Sequence, residues 1–162
     1  MDGKQRRRAA LHIIPAALLA LAVIAAAVAV VLSTTGKMTP QKLLEKYYNA
    51  RYTERGGGFE AVLECVNPFL REDYRMQATA DGADPCAEWR EEARSYVGDG
   101  VSLKLDILDT YEQGSQTYVV FRLTMTGSEG SKPFMGSAPL TQEGDKWYLS
   151  SYIANIAPEE AE

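Results

Sequence analysis

The residues best suited to chemistry are Asp106, Asp109 and nine tyrosines, all of which lie beyond residue 46. A carboxylate in an apolar pocket can take a proton as a general base, and a tyrosine hydroxyl can donate to a developing oxyanion. Most other catalytic sets are absent. The single histidine, His12, lies far from these residues in the sequence. No Ser-His-Asp or Cys-His triad can be built without a second one, and the commonest zinc ligand is missing too. No phosphate-binding glycine loop, GxGxxG run or CxxC pair occurs. No metal and no cofactor is expected. Asp106 alternates with the apolar residues of its strand, so it is expected to point to solvent rather than to serve a reaction.

Binding is the alternative to catalysis. Tyr47, Tyr48, Phe59, Trp89, Tyr96, Phe121 and Trp147 are aromatic residues on apolar faces. They are the candidate lining of a ligand pocket, or else core filling. Arg122, midway along a long strand, is a candidate for an anionic group or for cross-strand pairing with an acid.

The elements that position these residues follow from hydrophobic period. Residues 11–32 read LHIIPAALLALAVIAAAVAVVL and contain no Asp, Glu, Lys or Arg. At 1.5 Å per residue they extend about 33 Å as a helix, enough to cross a hydrocarbon core. The preceding tail, residues 1–10, holds Lys4, Arg6, Arg7 and Arg8 against Asp2. Cations beside a span are retained in the cytoplasm, so the tail is expected inside and the remainder outside the cell membrane, in a single-pass arrangement. A cleaved signal peptide is the competing reading, but its apolar run is usually shorter. Small residues four apart in the span (Ala16/Ala20, Ala22/Ala26, Ala25/Ala29) allow close helix approach, so a homodimer is one expectation.

Residues 33–38 form a polar linker, 39–157 one domain, and 158–162 an acidic, frayed tail. Residues 33–162 carry 13 Lys and Arg against 21 Asp and Glu, a net charge of −8. That field repels phosphates and anionic lipid surfaces, so nucleic acid is not an expected partner. Cys65 and Cys86 are the only cysteines. In an oxidising compartment an even pair predicts a disulfide.

Thr39-Pro40 is a capped helix start. Leu43, Leu44, Tyr47 and Tyr48 then mark one helical face to about Tyr52, where three glycines end it. A second helix begins at Phe59 and is cut by Asn67-Pro68. Residues 72–84 read as loop. Asp84-Pro85 opens a third helix over 86–97. From Val101 the period changes to two, and four strands follow: 101–107, 116–126, 132–141 and 146–153. Pro133, Gly136 and Pro139 place the third at an edge or a bulge. The prediction is an α+β domain: three helices packed on a curved, antiparallel four-stranded sheet.

The segments TPQKLLEKYYNA (39–50) and EGDKWYLSSY (143–152) resemble the opening helix and closing strand of the nuclear transport factor two-like superfamily, also called cystatin-like or SnoaL-like. The resemblance implies helices packed into the concave face of the sheet. It also implies one of two functions. Some single-span members with an exported domain are assembly factors of secretion and conjugation machines, and others are bacterial surface or lipoprotein-like domains with no known activity. Catalytic members are isomerases, dehydratases and cyclases that use an Asp, His or Tyr in the pocket. The sequence favours the first: a membrane-anchored, extracytoplasmic, non-enzymatic domain that binds a protein partner or a small ligand.

Overall fold

The computed structural model describes residues 37–151 and 155–159. The expected span and basic tail lie outside these residues. Among the described residues no helix is long and apolar enough to cross a membrane.

The domain is α+β, with helices first and an antiparallel sheet second. Helix α1 (Pro40–Tyr52) starts as its sequence dictates: Thr39 Oγ1 accepts from the Lys42 amide at 3.2 Å and Pro40 takes the first turn. It buries Leu43, Leu44, Tyr47, Tyr48, Ala50 and Tyr52. Helix α2 (Gly58–Cys65) follows a left-handed Gly57, φ 92°, a backbone angle that glycine adopts without strain. A short 3-10 turn, Pro68–Leu70, leads into α3 (Arg71–Ala78). Helix α4 (Pro85–Val97) is capped by Asp84, whose carboxylate accepts from the Cys86 amide at 3.0 Å.

Strands β1 (Ser102–Gln113), β2 (Gln116–Gly127), β3 (Gly130–Glu143) and β4 (Lys146–Leu149) form the expected meander. A fifth, β5 (Asn155–Pro158), returns to pair with β3. One face buries Leu105, Val119, Phe121, Leu123, Met125, Phe134, Ala138, Leu140 and Leu149 against the helices. The other face carries Lys104, Asp106, Tyr111, Tyr118 and Arg122, as alternation along the paired strands requires once a bulge in β1 between Ile107 and Asp109 is counted.

Five expectations are corrected. Residues 72–84 are not all loop, because α3 occupies the first part. Leu70, Tyr74 and Ala78, four apart, pack against the core, and Glu72 and Asp73 sit in the first turn where the helix dipole favours acids. Three apolar residues among polar neighbours were too weak a periodic signal.

The first strand does not stop at 107. It continues to Gln113 past a bulge between Ile107 and Asp109, which resets the alternation.

β3 is not an edge strand. It pairs with β5 over Phe134–Ser137 and with β4 over Leu140–Glu143, and Pro139 falls between the two stretches. Its missing N–H therefore costs no bond on that side.

The C-terminal tail is not frayed where it begins. Pro158 lies in β5, and Glu159 donates its amide to the Pro133 carbonyl at 3.0 Å.

Finally, Cys65 and Cys86 form no disulfide. Both thiols are free and buried, Cys65 Sγ donating to Ala61 O at 3.3 Å and Cys86 Sγ to Ala50 O at 3.7 Å. Each serves its own helix contact as a small apolar side chain with a weak donor.

Candidate functional site

Where α1 ends, its last turn, the following loop, α4 and the start of β1 surround a cleft of about 770 Å³. The end of α1 is tightly built. The Thr53 amide and hydroxyl both donate to Asn49 O, at 3.0 and 2.8 Å, and Asn49 Nδ2 donates to Glu45 O at 2.8 Å. Gly56 then turns the chain so closely over Asn49 that a Cβ there would overlap the Asn49 carbonyl. This turn brings Glu54 and Arg55 to one wall. Arg90 and Arg94, one turn apart on α4, form the second, and Asp99 to Leu103 the third.

The charges in the cleft are unequally matched. Arg94 holds Glu91 at 3.0 Å, Glu54 at 3.5 Å and Asp99 at 3.9 Å. Among the described residues Arg55 and Arg90 form no ion pair, and Arg90 Nε is buried without a hydrogen-bond partner. Tyr52 also lines the cleft. Burial, with Glu92 and the neighbouring tyrosines adding to it, pushes its phenol up to about 12, against a smaller opposing pull from Arg51. It therefore stays neutral and can donate a hydrogen bond.

Behind the cleft lies a second arginine. Arg51 Nη1 donates to the Tyr47 hydroxyl at 2.9 Å, and its guanidinium sits 4.2 Å from the Trp89 ring centre and 5.3 Å from that of Tyr52. Burial opposes this charge, but Tyr47, Tyr52, Tyr74 and Tyr48 together outweigh it and hold the guanidinium above its ordinary value.

The seven aromatic candidates lie apart from this cleft. Tyr47, Tyr48 and Phe121 are fully buried, the Tyr48 ring centre standing 5.1 Å from that of Tyr47 and 5.4 Å from that of Phe121. They fill the core. Phe59 lies 6.1 Å from Tyr74 and 6.3 Å from Trp89, and Trp89 faces Arg51. Tyr96 packs edge-on against Phe134 at 5.1 Å, under Lys132. Trp147 is half-buried on β4, opposite Gln142. None of the seven lines the cleft.

The polar candidates lie outside both the core and the cleft. Asp106 pairs with Lys104 at 2.9 Å, and Asp109 accepts from the Thr110 amide at 2.8 Å on an exposed stretch. Arg122 holds Glu159 through two hydrogen bonds of 2.8 and 2.7 Å. Among the described residues no cluster of His, Cys, Asp or Glu could hold a metal ion.

Sequence reasoning missed Tyr52, Arg55, Arg90 and Arg94. The one signal was spacing: Arg51 and Arg55, and again Arg90 and Arg94, are four residues apart. Set beside known proteins, the chain matches no family model, no curated protein and no solved structure.

Proposed function

We propose that this chain is a membrane-anchored, extracytoplasmic domain without catalytic activity that binds a small ligand in the cleft between α1, α4 and β1. The observation that carries the reading is the pairing of a filled core with a flanking cleft of about 770 Å³. That volume lies within the range of small-molecule sites. An isomerase or cyclase of the SnoaL type would need an acid or base inside the domain. Asp106 instead sits on the outer sheet face beside Lys104. The anchor rests on the charge-free run 11–32 and the basic tail before it. The order of helices followed by an antiparallel sheet supports kinship with the nuclear transport factor two-like domains.

Self-association is a second reading. Tyr111 and Tyr118 stack at 5.3 Å on the uncovered sheet face, with Leu108 exposed on the same strand. A sedimentation measurement of the full chain in detergent tests it, and a monomer at every concentration removes it.

Two experiments test the main reading. Alkaline phosphatase fused after Glu162 is expected to be active in intact cells, and an inactive fusion overturns the export. A fragment screen on the full chain in nanodiscs, followed by amide shifts, is expected to map hits to Tyr52, Val101 and Leu103. Hits that avoid these residues overturn the cleft as the binding site.

A further inference from the structure

We infer that the ligand carries an oxyanion, a carboxylate or phosphate group on a larger body, and that Arg90 and Arg55 receive it. The inference rests on the cleft being the ligand site and adds the chemical class that the site selects.

The cleft has three cations and two acids on its walls. Glu54 and Asp99 both approach Arg94, which also takes Glu91 from its own helix. The acids are thus committed to one arginine, and two arginines are left uncompensated. Residues 33–162 hold 13 cations against 21 acids, so carboxylates are in surplus. Outside the cleft, Arg75 pairs with Glu60 at 2.7 Å and Arg122 with Glu159 at 2.7 Å. Arg90 is the sharper case. Its Nε is buried with no acceptor. A desolvated N–H without a partner is a cost that an incoming oxygen would recover. The guanidinium presents paired donors in one plane, the geometry that matches carboxylate and phosphate oxygens two at a time.

The surroundings fit the rest of such a molecule. Tyr52 supplies a neutral phenol, and burial holds it still further from ionisation. Val101 and Leu103 give the β1 wall a half-buried apolar strip. At Gly100 no atom stands within 4 Å of where a Cβ would be, so that wall is open. The cleft is far larger than a bare ion requires. The oxyanion is therefore the head group of an organic ligand, held at the arginines while its apolar part lies along β1.

The test uses the full chain in nanodiscs and three probes: inorganic phosphate, benzoate and benzamide. Benzamide is the uncharged twin of benzoate, so the pair isolates charge. Benzoate, phosphate or both are expected to move the amides of residues 52–55 and 99–103, and the stronger of the two identifies the head group. Benzoate is expected to bind about tenfold tighter than benzamide. Arg90→Gln and Arg55→Gln are each expected to weaken benzoate and phosphate by about tenfold and to leave benzamide unchanged. Arg55 is exposed, so its variant keeps the test available if Arg90→Gln fails to fold. Equal binding of benzoate and benzamide, unaffected by either variant, overturns the oxyanion while leaving the cleft as a ligand site. If no probe moves these amides, the inference and the cleft reading fall together.

Discussion

The guanidinium of Arg51 lies 4.2 Å from the centre of the Trp89 ring, and no carboxylate among the described residues pairs with it. Its charge is held by aromatic faces and by the Tyr47 hydroxyl at 2.9 Å. This contact ties α1 to α4, the two helices that flank the cleft. Arg51→Met keeps the length of the side chain and removes the charge. It is expected to lower unfolding free energy by about 1–3 kcal/mol, read from urea denaturation. Arg51→Lys is expected to recover little of this, because an ammonium cannot stack as a guanidinium does. A change in Trp89 emission should accompany both.

Phe121 and Gly136 face each other across the β2–β3 ladder. The Phe121 ring edge occupies the place a side chain at 136 would take, so a Cβ there would overlap it. Gly136→Ala is expected to destabilise the domain by about 1–3 kcal/mol through overpacking. Phe121→Leu should cost less in that background than in the wild type, because it makes room for the new methyl group. A double-mutant cycle measures the coupling, and additive costs would refute the contact.

Arg122 and Glu159 fasten the chain end to the sheet through their two hydrogen bonds. The hydrogen bond and charge of Arg122 hold the Glu159 carboxyl below its ordinary range. A depressed folded pKa stabilises above the unfolded value and loses that effect as pH falls through the folded one. The thermal midpoint of the wild type is therefore expected to exceed that of Glu159→Gln at neutral pH. The gap should close on acidification to below the usual carboxylate range. High salt should narrow it as well, because both groups reach solvent.

The buried thiols give a chemical test. Burial pushes Cys65 up to about 11 from an ordinary 9.0, and also raises Cys86. A raised folded pKa stabilises below the unfolded value and is lost as pH rises through the folded one. Stability is expected to decline between about pH 9 and 11, and Cys65→Ala should flatten that decline. Alkylation under native conditions should be slow at both cysteines. After denaturation both should react without reductant, and a mass that changes only with reductant would restore the disulfide.

Much of the architecture was legible because it depends on near neighbours in the chain. Thr39-Pro40 and Asp84-Pro85 start helices through local hydrogen bonds and a preset φ. The alternation of Val119, Phe121, Leu123 and Met125 sets the buried face of β2, because successive strand residues point to opposite sides. The outward position of Asp106 follows from the same rule.

What depends on distant partners was not legible. Helix α3 is held by Tyr74 against α1 and α2, and β5 by pairing with β3, neither of which leaves a strong local period. The two cysteines, compatible with a bridge by their even number, are free and buried in separate helices. The cleft shows this most clearly. Arg55 and Arg90 are thirty-five positions apart, and nothing in either neighbourhood announces the other. Spacing along the chain places a charge on a helix face, but only the packing of α1, α4 and β1 decides which charges share a wall and which of them has already found its counter-ion.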